Sequence, residues 1–477
     1  MVAARATLVA LLLLVSCKVF AQQDNTLFFM HSLPQSNMVN PAVQIDCKLF
    51  VGIPLLSSIH FNANSTGFSY NSFSPGSASI DLNKVTKGLF WWDYVTAEFQ
   101  YNWLALGYRP NERDYYNFSI TEKVDMKLFF PKKLVLLARD GNTPYVGDEF
   151  TVRNPGVNAF YYREFSFGYS RKMDSRLTLG AHAKVLFGMA GVFTRRRPIH
   201  LSVDGATYNL NADWNLRADV AGPMTIGKDA NGYVNSVSVG SVSPTAFLLN
   251  FRNVGLAGDF GFIYKGDVLT WSGSVLDLGL IYWTAQTHRF SQNGNFVFSG
   301  ATPANGADPN AYISMLRDSL NNQLRVEETN GGFITFLNPR AYFGATYPLR
   351  DHLNAGALVR TELYPGRPIV GATVSLNAFG WKGFSGSVSY SAMNGSLRNV
   401  GLGFGFGSET FKIHLISDNV LAFFYPTSAR NANIRFGMHL MFGCSEKKQR
   451  PSKSSYNGCG CFWQWDEGQK RRAAGVK

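Results

Sequence analysis

The sequence predicts an all-β protein, an antiparallel transmembrane β-barrel of about 14–16 strands with a short helix in an outer loop, and three observations carry that expectation. The first is strict alternation near the C-terminus. Ile434, Phe436, Met438, Leu440 and Phe442 are large and apolar, and Arg435, Gly437, His439 and Met441 stand between them. Successive side chains of a strand point to opposite faces, so one face of this run suits lipid and the other a polar interior. The second is recurrence: runs of about ten residues with the same period follow one another, the length at which tilted strands cross a bilayer. The third is composition, with 14% aromatic and only 16% charged residues among 477. An open sheet would leave backbone groups unpaired in hydrocarbon, so such strands must close on themselves.

From the N-terminus, residues 1–21 read as a secretory signal. Arg5 supplies the positive start, Leu8 to Val15 the apolar core, and Val19-Phe20-Ala21 a cleavage site. Leu14-Val15-Ser16-Cys17 also resembles a lipobox, so lipoprotein processing stays open beside cleavage after Ala21. Residues 22–46 are polar, contain Asn40-Pro41, and read as an extended or plug segment ahead of a barrel spanning 47–443.

Within the barrel, Phe165, Phe167 and Tyr169 lead to a hairpin tip at Met173-Asp174-Ser175. Leu177, Leu179, Ala181, Ala183, Val185 and Phe187 return on the outward face. Val254, Leu256, Phe260, Phe262 and Tyr264 turn at Lys265-Gly266-Asp267 into a strand with Leu276, Leu278, Leu280 and Tyr282 outward. Runs at 341–349, 353–363, 370–378 and 384–392 follow across short turns. Val400, Leu402, Phe404 and Phe406 then alternate with glycines, and Phe411, Ile413 and Leu415 with Lys412 and His414. Short turns mark the periplasmic rim of an outer-membrane barrel and long connections the outer one. The long connections are 72–95, 131–158, 190–205 and 284–336, and within the last Ile313, Leu316, Leu320 and Leu324 recur at helical spacing over 311–328.

Residues 444–477 change character, carrying eight Lys and Arg against three acids, and read as a flexible basic periplasmic tail. Cleavage after Ala21 leaves four of the five cysteines, Cys47, Cys444, Cys459 and Cys461, and an even number in an exported chain permits disulfides. Cys459 and Cys461 are too close for an unstrained mutual bridge, so a tail disulfide pairs Cys444 with one of them. The other is left free, or joined to Cys47 or to a partner.

Register places Lys184, Asp259, Asp277, Arg340, Arg350, Arg360, Glu362 and Arg435 on inward faces. They read as lumenal ion pairs bracing barrel and plug, or as a path for an anionic solute. Gly401, Gly403, Gly405 and Gly407 form a side-chain-free inner stripe that lets a plug or another backbone approach closely. Arg195-Arg196-Arg197 reads as a solvated basic turn or a grip on lipid phosphates. No zincin, P-loop or nucleophile-elbow motif is present, so no enzymatic activity, cofactor or metal is expected. Positive charge spread over loops, lumen and tail gives no nucleic-acid surface.

Several segments resemble a domain-of-unknown-function family of outer-membrane barrels of Bacteroidota. They are Asn40-Pro41-Ala42, Gly52-Ile53-Pro54-Leu55-Leu56, Arg163-Glu164-Phe165-Ser166-Phe167-Gly168-Tyr169 and Ser274-Val275-Leu276-Asp277-Leu278-Gly279. The family is similar in style to barrels of type IX secretion and gliding, and more remotely to long-chain fatty-acid transporters. The resemblance implies an outer-membrane location and lends no activity. Two roles follow as expectations. One is a structural or accessory part of a cell-envelope assembly of the secretion or gliding type, contacting outer-membrane lipids and other envelope proteins through loops and tail. The alternative is a transporter or pore for small apolar or amphipathic solutes.

Overall fold

Alternation sorts each strand into a greasy and a polar face, and closure is what lets both be used. The protein is a closed antiparallel barrel of 14 strands in a computed structural model. The structure describes residues 24–67, 69, 86, 93–298 and 325–444, apart from 153–154, 196–197, 241–242, 365–366, 382, 394–395 and 409. In chain order the strands are β1 (Cys47–Gly52), β2 (Ser58–Ser65), β3 (Tyr94–Tyr108), β4 (Asp114–Phe129), β5 (Glu149–Val152), β6 (Gly156–Lys172), β7 (Leu177–Thr194) and β8 (Ile199–Val203). Next come β9 (Leu210–Ala221), β10 (Met224–Lys228), β11 (Val234–Val239), β12 (Val254–Lys265), β13 (Thr270–Trp283), β14 (Thr287–Phe298), β15 (Glu327–Thr329) and β16 (Phe333–Phe336). The last seven are β17 (Arg340–Arg350), β18 (Leu353–Tyr364), β19 (Arg367–Trp381), β20 (Phe384–Met393), β21 (Ser396–Gly407), β22 (Phe411–Ser417) and β23 (Asn431–Cys444).

The wall runs from β2, preceded by its half-strand β1, through β3, β4, β6, β7, β12 and β13 to β17, then in sequence order to β23. It closes where β23 pairs with β2, from Ile59 opposite Phe436 to Asn64 opposite Asn431. At the break between β1 and β2, Met438 N donates to Leu56 O at 2.7 Å, so the seam stays hydrogen-bonded. The remaining strands belong to the long-loop rim. There β5, β8, β9, β14 and β15 make a sheet that continues the wall through β9 on β7. Its apolar face gathers Phe150, Val152, Ile199, Leu201, Leu210, Phe296 and Phe298 around Leu137 of helix Lys132–Asp140.

Burial along β23 alternates as the sequence requires, with Asn433, Arg435, Gly437, His439 and Met441 inside. Outward rows are large and exposed: Phe167, Leu179, Leu256, Phe260, Phe343, Val374 and Phe404. Val374 is 57% exposed on this face, so Val374→Arg should cost about 2–4 kcal/mol if it lies near the midplane. Heat-modifiable migration in detergent reads the outcome, with the fast-migrating folded band lost.

Three expectations are corrected. Leu276 is not outward but buried in the lumen beside Asp277, because a β-bulge sits opposite Asp259. The ladder steps from Gly258–Leu278 to Phe260–Val275, so two residues face one and parity flips above the bulge. Asp277 takes the left-handed φ of 58° this requires. Arg350 ends β17 at the short-turn rim, exposed to solvent, because the ladder shifts between Pro348 and Arg350. Residues 24–46 are not extended: they form helix α1 (Asn25–Phe29), a 3-10 turn at Pro34–Met38 and tight turns, buried in the lumen. The helix expected over 311–328 falls largely outside the described residues, and its positions 327–328 belong to β15. The signal segment 1–21 and the tail beyond Cys444, with Cys459 and Cys461, also lie outside them. Cys47 and Cys444 are each disulfide-bonded.

Candidate functional site

The lumen at the short-turn end is filled by the chain's own N-terminal segment. Its turns are locally encoded: Pro34 opens the 3-10 turn, Ser36 Oγ donates to Leu33 O at 2.6 Å, and Asn40 Oδ1 accepts from Ala42 N at 3.0 Å. Asn37 Nδ2 donates to Val43 O at 2.8 Å and ties the ends together. Folding this way collects Leu27, Phe28, Phe29, Met30, Leu33 and Val39 on one side, against Leu276, Tyr342, Leu358 and Ile416 of the wall. Phe28 lies stacked on Tyr342, ring centres 5.7 Å apart.

The seat is made of glycine. A Cβ on Gly401 would stand 2.5 Å from Thr26 Oγ1, and one on Gly405 would stand 2.8 Å from Leu33 Cδ2. A Cβ on Gly403 would collide with Met30 Sδ, and on Gly344 it would come within 2.9 Å of Phe28. The stripe along β21 therefore receives the plug, and β17 and β18 complete the seat with Gly344 and Gly356.

Polar tethers ring this apolar contact. Arg435 grips the Asp24 carboxylate with two nitrogens, each at 3.0 Å, and also donates to Ser58 Oγ at 3.0 Å. Thr26 N donates to Asp418 Oδ1 at 2.8 Å, and Thr26 Oγ1 lies 2.8 Å from Ser389 Oγ. Ser274 Oγ donates to Val39 O at 2.6 Å, and Asn117 Nδ2 to Asn37 Oδ1 at 2.9 Å. Burial pushes the Asp24 carboxyl up, but Arg435 beside it wins and holds it at about 2. Because the folded value lies below the free one, the tether's contribution, on the order of 2 kcal/mol, is present above about pH 4 and lost as pH falls toward 2. Protection of the 25–33 amides against hydrogen exchange, relative to their intrinsic rates, should fall across that window. In Asp24→Asn exchange should already be fast at neutral pH.

Above the plug lies a belt of buried charge. Lys184 Nζ stands 2.7 Å from Asp259 and 2.9 Å from Asp277. Lys123 pairs with Glu164 at 2.7 Å and reaches Asp277 at 3.6 Å. Arg340 Nε donates to the other Asp277 oxygen at 3.1 Å. Arg360 pairs with Glu362 at 3.3 Å, and Lys127 also bonds Glu362. His182 bridges belt and plug, with Nδ1 2.9 Å from Asp259 Oδ2 and Nε2 2.9 Å from Asn37 Oδ1. Buried charges persist only when paired and hydrogen-bonded. The bulge serves this: it turns the Asp277 N–H onto Asp259 Oδ1 at 2.7 Å and both carboxylates toward the cations.

The structure brings Lys184, Asp259, Asp277 and Arg340 into one cluster and Arg360 and Glu362 into an adjoining pair. Arg435 stands apart, on β23, where it holds Asp24 of the plug. Sequence reading missed Lys123, Lys127, Glu164 and Asp24. The first three sit at inward parity on β4 and β6, but Glu122 and Arg163 at the opposite parity mask the alternation there. Cavities of about 60 and 30 Å³ lie beside the belt, the first lined by Asp24, Gln35, Lys123 and Arg435, the second by Glu98, Asp125 and Asn338. They have room for a few waters, not for a solute. Toward the long-loop rim Phe160, Tyr162, Leu186, Ile281, Trp283 and Phe333 pack together inside the wall.

Among solved structures the chain is similar to a FadL homologue of Pseudomonas aeruginosa, with 11% identity, a TM-score of 0.41, and 90% of this chain and 100% of that one covered. It is similar to a deltaS2S3 mutant of TodX, a monoaromatic hydrocarbon channel, with 9% identity, a TM-score of 0.40 and 86% and 95% covered. The toluene transporter TodX of Pseudomonas putida shows 8% identity, a TM-score of 0.37 and 89% and 93% covered. No curated protein matches the sequence significantly. Residues 41–418, most of the chain and nearly the whole barrel, match the model of a family of unknown function, DUF5723, and the protein belongs to that family.

Proposed function

We propose that this protein is a gated transporter for small apolar or amphipathic solutes in the outer membrane of a Gram-negative cell. The short-turn rim and the basic tail lie on the periplasmic side. The observation that carries the reading is the plug's seat. A barrel serving only as a scaffold needs no removable core, whereas this one holds residues 24–46 in a glycine-lined groove by side-chain tethers. Withdrawal of the plug would leave a passage lined by apolar Leu276, Tyr342, Leu358 and Ile416, with polar Ser387, Ser389, Ser391 and Asn399 on the strands between Leu358 and Ile416. Such a mixed lining suits amphipathic molecules. The outer wall supplies an apolar hollow of about 730 Å³, lined by Leu179, Phe260, Phe262, Val275, Phe343 and Val359. Gly180 and Gly261 also line it, and on their lumenal side Pro41 and Asn40 of the plug press on them. Flux of a small aromatic acid into proteoliposomes tests the reading. Flux above that of empty liposomes, and saturating with concentration, is the expected result, and none would end it.

A second reading, an accessory part of a secretion- or gliding-type assembly, draws on the sheet at the long-loop rim. Its polar side forms a hollow of about 520 Å³ with Glu149, Thr151, His200, Asn211, Asp213 and Asn295. Affinity capture of the detergent-extracted protein with and without residues 444–477 tests this role. Reproducible co-purifying envelope proteins that depend on the tail are its expected result.

A further inference from the structure

One row of the lipid-facing wall breaks the apolar rule. Glu122 of β4 and Arg163 of β6 are directly paired across the ladder, and Arg163 Nε donates to Glu122 Oε1 at 2.6 Å. Thr121 and Lys123, on either side of Glu122, are the buried lumenal residues of β4, and Glu164 after Arg163 reaches Lys123 inside the lumen. Strand geometry therefore turns Glu122 and Arg163 outward. Glu122 stands roughly 20 Å up the tilted strand from Asp114 at the short-turn rim, within or at the upper edge of the apolar belt. A charged pair there would face hydrocarbon, yet each residue is only 5% exposed.

The cover is the segment 243–253, with the short helix Pro244–Leu248, which lies against the outside of β6 and β7. Arg163 Nη1 donates to Leu248 O at 2.8 Å, and its guanidinium sits 5.3 Å over the Phe247 ring. Phe247 in turn stacks on Tyr161 at 6.2 Å. Phe251 meets Phe187 edge-on at 5.1 Å and Phe165 at 6.4 Å. Asn253 fixes the far end, donating to Gly188 O at 3.1 Å and accepting from Thr284 N at 2.9 Å. Arg163 Nη2 and Glu122 Oε2 remain buried without hydrogen-bond partners. The pair is thus sealed from lipid by a segment it helps to hold.

The other side of the segment is apolar. Leu249 is 72% exposed, and Leu248 and Phe251 are half exposed. They continue the outward rows of Phe167 and Val254, which are exposed to the same degree. We propose that segment 243–251 is a membrane-interface clasp. The Glu122–Arg163 pair pins it to the wall, and Leu248, Leu249 and Phe251 enter the acyl chains of the outer leaflet. The occupant is lipid because the exposed side chains extend the lipid-facing belt without a gap. A short amphipathic segment with large apolar side chains at that height binds the interface in the way peripheral anchors do. The consequence is that the sheet at the long-loop rim is held down on the bilayer rather than left to tilt.

This inference rests on the membrane reading of the barrel, and the test separates the two. Leu249→Cys and Val374→Cys in the full chain are labelled with an environment-sensitive fluorophore and reconstituted into phosphatidylcholine vesicles carrying doxyl-labelled acyl chains. The labelled unsubstituted protein is the blank. A loss of fluorescence at position 249 matching that at 374 is expected. Quenching at 374 without quenching at 249 would overturn the clasp and leave the barrel in the membrane. Quenching at neither would overturn the membrane reading itself. Adding Arg163→Met to Leu249→Cys should abolish the quenching at 249. The same substitution in the Val374→Cys protein should leave position 374 unchanged, which shows that the barrel still inserts. Undiminished quenching at 249 would show that the ion pair does not hold the segment.

Discussion

Asp277→Ala should prevent the barrel from assembling. Asp277 stands at the centre of the charge belt, with Lys184 at 2.9 Å, Lys123 at 3.6 Å and Arg340 on its second oxygen. Removing it leaves three buried cations short of a counter-charge, and breaking one buried pair already costs about 3–5 kcal/mol. That is a large part of the whole stability margin of a folded protein. The folded, heat-modifiable band and the β-type circular dichroism spectrum should both be lost. Asp277→Asn separates the causes, since asparagine tolerates the left-handed φ of 58° but carries no charge. It should fail nearly as badly. A folded Asp277→Asn protein would mean that the bulge geometry, not the charge, is what the position supplies.

Deleting residues 24–46 should have the next largest effect, on conduction rather than on assembly. The wall closes through β23 on β2 without any contribution from the segment, so the deleted form should insert and migrate as a folded barrel. Loss of Leu27, Phe28, Phe29, Met30 and Leu33 empties the short-turn half of the lumen down to the glycine seat. In planar bilayers the deleted form should carry persistent current where the intact protein is nearly silent. A deleted form that inserts and stays silent would mean that the charge belt and the aromatic cluster above it close the lumen by themselves.

The wall was legible because its information is local. Period-two runs such as 434–442 state which side chains share a face, and short turns state which strands are neighbours. The error at Leu276 shows the limit: the bulge at Leu276–Asp277 is defined by two residues facing the single Asp259, and that partner on β12 lies outside the local alternation of β13. The charge belt was half legible. Lys184, Asp259, Asp277, Arg340, Arg360 and Glu362 follow from parity on strands whose alternation is clean. Lys123, Lys127 and Glu164 sit on β4 and β6, where polar residues occupy both faces. Glu122 and Arg163 could not be assigned by parity at all, since outward charge makes sense only once segment 243–253 covers it. The glycine stripe at 401–405 announced a close approach but not what approaches. The plug's five-residue helix is too short to show a period, and its apolar residues become a core only inside the lumen.

The central claim is that solute passes where the plug sits, and locking the plug tests it most directly. Thr26 Oγ1 and Ser389 Oγ are 2.8 Å apart, so cysteines at both positions can bridge the plug to β20. Solute flux into proteoliposomes is then compared for the oxidised Thr26→Cys/Ser389→Cys protein, its reduced form, and each single substitution treated alike. The account predicts that the bridged protein is inactive while both single variants and the reduced double variant transport. Equal flux through the bridged protein would contradict it and place the path elsewhere in the barrel.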